Sequence, residues 1–134
     1  MKKVNVAVIG MNFGKEFVKL YQKHPNVGKV AICQRSPEAL RKTGEELGIE
    51  ESMRFTNFDD VCASKEIDAI HIITPILDHY KQSLASLEAG KHTACTVPMA
   101  TTVDELKSLC DAQEKSGKVY MMMETAVYTR EYLY

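Results

Sequence analysis

The sequence predicts an α/β domain built on a doubly wound, mostly parallel sheet. Three observations carry that expectation: short β-branched runs alternate with longer helical stretches, glycines, prolines and capping residues fall at the junctions, and no repeat or low-complexity linker intervenes. Right-handed crossovers between successive parallel strands then place helices on both faces.

Taken in order, Val4-Asn5-Val6-Ala7-Val8-Ile9 ahead of Gly10 reads as a strand buried on both faces. Phe13, Phe17, Leu20 and Tyr21 supply a helical stripe that stops at His24-Pro25, and Val27 to Cys33 forms the second strand. Ser36 caps the next helix with Pro37 in its first turn, Leu40, Thr43 and Leu47 on one face, and Gly48 at its end. A short strand at Arg54-Phe55 precedes a brief helix capped by Asn57, with Asp59 and Asp60 in its first turn. Asp68 to Ile73 is a buried strand ending at Thr74-Pro75, followed by a helix with Leu77, Tyr80, Leu84 and Leu87 inward and Gly90 as its stop. His92 to Cys95 is a strand. Thr102-Val103-Asp104-Glu105 opens a helix with a capping box, with Val103, Leu106, Leu109 and Cys110 inward and Gly117 closing it, and Val119 to Met123 forms the last strand.

The chain has 134 residues, 17 basic against 18 acidic side chains and a formal charge of −1, which gives no electrostatic reason to seek nucleic acid or a membrane surface. An apolar content of 45% with 26% charged residues is that of an ordinary globular domain, and a chain this long buries roughly two thirds of its unfolded surface. The apolar run after Lys3 is too short for a signal or a membrane span. Cys33, Cys62, Cys95 and Cys110 lack C-x-x-C spacing, and His24, His71, His79 and His92 form no close pair. The expectation is a reduced, cytoplasmic protein with no structural metal.

In open parallel sheets, ligands bind beyond the carboxyl ends of the strands, where strand order reverses. The ends expected to share one crevice are Gly10 to Gly14, Gln34 to Ser36, Thr74-Pro75, Thr96 to Pro98, and Glu124. Gly10-Met11-Asn12-Phe13-Gly14 joins the first strand to the first helix, where a diphosphate can meet free backbone N–H groups and the positive helix end. The full dinucleotide fingerprint has glycines at positions 10, 12 and 15; here Asn12 and Lys15 break it, and Asn12 is expected to carry the turn because asparagine tolerates a left-handed backbone. After the second strand an NAD enzyme normally carries an acid for the adenosine ribose, whereas this chain has Gln34-Arg35-Ser36. Arg35 can pair with a 2′-phosphate and Ser36 adds a donor, which favours NADP; Gln34 can still bond a ribose hydroxyl, which leaves NAD open.

The chain resembles the N-terminal nucleotide-binding domain of the Gfo/Idh/MocA oxidoreductases. The resemblance rests on Val6-Ala7-Val8-Ile9-Gly10, on Asp68-Ala69-Ile70-His71-Ile72-Ile73-Thr74-Pro75 with His79, on Leu87-Glu88-Ala89-Gly90-Lys91-His92, and on Pro98-Met99-Ala100 before the capped helix. It implies a Rossmann fold that binds NAD or NADP to oxidise or reduce hydroxyl and carbonyl groups of sugars, polyols and related small molecules. It also implies that Thr74, Pro75 and His79 line the cofactor, with Thr96 and Pro98 beside the nicotinamide. Where the family commonly has Glu-Lys-Pro, this chain has Thr96-Val97-Pro98, so the lysine that serves the reacting oxygen is replaced by a side chain with no proton to give. Glu124 is the candidate on the substrate side, and the catalytic residue is left unassigned.

The family continues into a second α/β domain carrying the substrate site. Residues 1–124 are therefore expected to be a dinucleotide-binding domain, and 125–134, with Tyr128, Arg130, Tyr132 and Tyr134, the start of a connection to a C-terminal domain lying beyond an excised or truncated piece. Alone, that piece binds cofactor and turns nothing over; the full-length protein is expected to take a small-molecule substrate and to be open to homo-oligomer formation. The alternative reading is a non-catalytic nucleotide-binding sensor or scaffold, motivated by the absent lysine. A methyltransferase using S-adenosylmethionine fits Thr74-Pro75 and Pro98-Met99-Ala100 less well.

Overall fold

A computed structural model describes residues 3–133; Met1, Lys2 and Tyr134 of the sequence lie outside the described residues, as do the side chains of Tyr128, Tyr132 and Leu133. The strands are β1 (Val4–Ile9), β2 (Val27–Cys33), β3 (Arg54–Phe55), β4 (Ala69–Ile72), β5 (His92–Thr96) and β6 (Tyr120–Met123). The helices are α1 (Met11–Lys23), α2 (Pro37–Glu46), α3 (Phe58–Ala63), α4 (Ile76–Glu88), α5 (Val103–Ser116) and α6 (Arg130–Leu133), with single 3-10 turns at Glu51–Met53 and Thr125–Tyr128.

All six strands pair in parallel in the order β3-β2-β1-β4-β5-β6. The chain steps outward in one direction from β1 to β3, returns across the sheet, and steps the other way from β4 to β6, so β1 and β4 flank the point where strand order reverses. The expected doubly wound α/β sheet is present, and it is parallel throughout. Its centre is buried on both faces, by Ala7, Val8, Ile9, Ala31, Ile32, Ile70 and Ile72 and, among polar side chains, by His71.

The expected caps are present. Ser36 Oγ accepts from Ala39 N, Asn57 Oδ1 from Asp59 N, and Thr102 and Glu105 close the capping box at the start of α5.

The expected helix faces are corrected in three places. In α1 the buried residues are Met11, Gly14 and Val18, with Phe17 and Tyr21 half-buried, while Phe13 and Leu20 are 59% and 64% exposed. The helix lies so close to the sheet that a side chain at Gly14 would stand 3.0 Å from Val8 Cγ1, and the small residue therefore fixes which face turns inward. In α4, Leu77 is 81% exposed and the buried residues are His79, Ser83, Ser86 and Leu87. Those hydroxyls are satisfied beneath the helix, Ser83 with Tyr120 (3.1 Å) and Ser86 with Thr93 (2.7 Å), so polar side chains share the inner face with Tyr80, Leu84 and Leu87, which pack inward as expected. In α5 only Leu109 of the expected stripe is buried. Leu109 joins Leu87 and Ala100 in a small core between α4 and α5.

His71 sits in the middle of β4, fully buried, edge-on to Phe17 at 4.8 Å between ring centroids, with Nδ1 3.0 Å from the Tyr21 hydroxyl. Burial pushes its imidazole down from 6.5 to about 4. The unfolded chain therefore takes up this proton first, and stability should be full above about pH 6.5 and fall by roughly 3 kcal/mol as the pH approaches 4. Urea unfolding at pH 7 and pH 4.5 should show this acid step, and His71→Leu should flatten it; an equally steep step in the variant would contradict the assignment.

Candidate functional site

The first strand leaves the sheet at Gly10, whose backbone sits at φ 94°, a conformation that side chains disfavour. A Cβ there would stand 2.4 Å from Ile73 O, so the turn after β1 rests directly on the backbone of the turn after β4. Helix α1 then starts at once, at Met11. Asn12 is helical and needs no left-handed backbone, because Gly10 alone makes the turn; this corrects the expectation placed on Asn12. Gly14 provides the close approach of helix to strand, one residue earlier than the third fingerprint glycine is usually placed. The glycine pattern is thus shortened as well as broken, which obscures it to spacing rules.

At this edge lies a cleft of about 430 Å³. Of the residues singled out in the sequence, Gly10, Asn12, Gln34, Arg35, Thr74 and Pro75 line it together. The remainder do not line it, so of the five strand ends expected to share one crevice, Thr96 to Pro98 and Glu124 stay outside it. Phe13 is exposed on the flank of α1, Gly14 is buried under that helix, and Ser36 is occupied as the α2 cap. His79 is buried with Nδ1 2.7 Å from Pro98 O and Nε2 2.8 Å from Thr74 O, bracing the turn after β4 against the turn after β5. Thr96 Oγ1 donates to Ile72 O at 3.3 Å, and the Val97–Pro98 peptide is cis. Glu124 accepts from Ala126 N at 2.8 Å and caps the 3-10 turn that follows β6.

The structure adds Thr56, Asn57 and Phe58, from the end of β3, and Asp78 and Gln82, one turn apart on α4. The first group follows from the strand-end rule once β3 is counted with the others. The second follows from helical periodicity after Thr74-Pro75, since positions four apart share a face.

The local electrostatics suit an anion at one spot. The first turn of α1 has no acidic residue and its N-cap glycine has no side chain, so the free N–H groups and positive helix end face the cleft uncompensated. Gln34 Oε1 is buried and has no hydrogen-bond partner among the described residues, an acceptor waiting for a donor. Arg35 and Asp78 are the charged side chains lining the cleft. Cys33 also lines it, but burial, then the nearby Asp60 carboxylate, pushes its thiol up to about 11, so it is protonated at neutral pH and a poor nucleophile. Among the described residues no group of three or more His, Cys, Asp or Glu side chains is placed to hold a metal ion, and no helix is long and apolar enough to cross a membrane.

A glycine cradle at the switch point, an uncompensated helix N-terminus and an orphaned acceptor at the next strand end fit a dinucleotide, and they define a Rossmann domain of the kind that binds NAD or NADP. Residues 4–124 match the Gfo/Idh/MocA oxidoreductase family, NAD-binding Rossmann fold, and the chain belongs to that family. It is 31% identical over 136 residues to a glycosyl hydrolase family 109 protein of Porphyromonas gingivalis, covering 96% of this chain and 29% of that protein. It is similar to the crystal structure of myo-inositol 2-dehydrogenase from Lactobacillus plantarum (25% identity, TM-score 0.86, 99% of this chain and 40% of that one). It is also similar to levoglucosan dehydrogenase in complex with NADH and levoglucosan (27% identity, TM-score 0.81, 90% and 35%). The chain therefore spans less than half the length of these relatives.

Gly10→Ala should destabilise the domain by roughly 2–4 kcal/mol, combining a disfavoured φ with a backbone clash. Gly48→Ala, also at positive φ but with nothing within 4 Å, should cost about 1 kcal/mol. Urea unfolding of the two variants side by side checks this; equal losses would contradict the packed-turn account.

Proposed function

We propose that this chain is the NADP-preferring cofactor-binding domain of an oxidoreductase acting on a hydroxyl or carbonyl group of a sugar, polyol or related molecule. The observation that carries the reading is the cleft itself, where an uncompensated α1 N-terminus stands beside a strand end bearing Gln34 and Arg35 in place of an acid. Backbone N–H groups at Met11 and Asn12 would receive the diphosphate, and Gln34 Oε1 would accept from an adenosine ribose hydroxyl. Arg35, exposed and with no ion-pair partner among the described residues, would pair with a 2′-phosphate that a carboxylate would repel. Thr74 and Pro75 would hold the cofactor against the switch point.

When bound, the nicotinamide supplies or accepts the hydride, and the protein contributes orientation and electrostatics. Val97 and Thr96 offer no ionisable proton beside it. Substrate binding and proton transfer accordingly fall to a second domain of the complete protein, which we place in the reducing cytoplasm. The carbohydrate class is supported by what the relatives are called: a glycosyl hydrolase, an inositol dehydrogenase and a levoglucosan dehydrogenase.

Titrating the chain into NADPH and separately into NADH, followed by nicotinamide fluorescence against a protein without tryptophan, tests the reading. NADPH should bind more tightly, and Arg35→Ala should weaken NADPH by roughly tenfold or more, the value of one charge-assisted contact, with little effect on NADH. Failure to bind either would overturn the cofactor site; a preference for NADH unchanged in the variant would overturn the NADP assignment.

A further inference from the structure

We propose that Asp78, with Gln82 one turn further along α4, reads the base of the nucleotide, the Asp78 carboxylate accepting from the exocyclic amine of adenine. This rests on the dinucleotide reading above and extends it to a wall of the cleft that neither the glycine turn nor the β2 end supplies. Asp78 is the one carboxylate lining the cleft among the described residues, and its side chain makes no hydrogen bond or ion pair there. Glu38, Asp59, Asp60 and Asp104, in the first turns of α2, α3 and α5, likewise make none but do not line the cleft, and it is the position of Asp78 on the cleft wall that sets it apart.

A carboxylate only accepts hydrogen bonds, and so do phosphates, so Asp78 must face a part of the ligand that donates. The diphosphate belongs at the α1 N-terminus and the adenosine ribose hydroxyls at Gln34. The remaining donor on this half of the cofactor is the amine of the base, which occupies the space between Arg35 and α4. Gln82 completes the match. Its Oε1 accepts from Thr74 Oγ1 at 2.6 Å, which fixes the amide and leaves its N–H₂ to donate. An acceptor and a donor four residues apart on one helical face complement the adenine edge, where an amine donor adjoins a ring-nitrogen acceptor. Hypoxanthine carries a carbonyl oxygen at the position of that amine and inverts the match.

The test compares NADH with its hypoxanthine analogue, nicotinamide hypoxanthine dinucleotide in reduced form, by nicotinamide fluorescence, with melting temperatures confirming that each variant is folded. The wild type should bind NADH roughly tenfold more tightly than the analogue. Asp78→Ala should bring the two affinities together, and Asp78→Asn, whose amide donates to the carbonyl oxygen, should favour the analogue relative to wild type. Equal affinities in the wild type, or an equal loss for both ligands in the variants, would overturn base reading and assign Asp78 to a ribose hydroxyl or to the helix alone. Failure of the wild type to bind either ligand would overturn the dinucleotide reading itself, and base reading with it.

Discussion

The backbone of Gly10 pressed against the carbonyl of Ile73 is the contact on which the rest of the site depends. It joins the turn after β1 to the turn after β4 with no side chain between them, and these two strands flank the reversal of strand order. Because the approach is backbone to backbone, the N-terminal ends of α1 and α4 are brought to one edge of the sheet with little room to drift. The cleft between them is a consequence of topology; its fit to an anion is a consequence of that approach, since α1 begins at the residue immediately after the turn.

Buried polar side chains seat α4 on the sheet, His79 at the cleft edge and Ser83 and Ser86 towards the opposite one. His79 ties the carbonyl of Thr74 to that of Pro98, and Ser83 and Ser86 tie α4 to β6 and β5 through Tyr120 and Thr93. Burial pushes the Tyr120 hydroxyl well above its ordinary range, so it stays protonated as part of this seam. Such groups are worth little net when paired and cost much when one partner is removed, so the seam favours one seating of α4 over its alternatives. The apolar side chains Ile76 and Leu77 are left exposed at the start of that helix.

The strands and caps were legible because their signals are local. A β-branched run before Gly10, Ser36 ahead of Pro37, and the Thr102 and Glu105 pair each state their own structure within a few residues. The inward faces of α1, α4 and α5 were less legible, since a serine satisfied by a hydroxyl on another strand has no mark in its own neighbourhood. The ends of β1, β2 and β4 gather at the cleft as the strand-end rule implies, whereas those of β5 and β6 do not line it. Helical periodicity puts Asp78 and Gln82 on one face, but only the folded helix shows that this face turns to the cleft, while His79 between them is buried and braces two turns. Asn12 looked like a replacement for a glycine; in the fold the turn is already complete before it.

Seating of a nicotinamide dinucleotide's diphosphate at the α1 N-terminus is testable by amide chemical-shift mapping on a ¹⁵N-labelled chain titrated with NADPH. The largest shifts are expected at the amides of Met11, Asn12 and Phe13, with further shifts at Gln34, Arg35 and Thr74. Shifts absent from the α1 N-terminus, or gathered at the opposite edge of the sheet around Gly117 and Lys118, would contradict it.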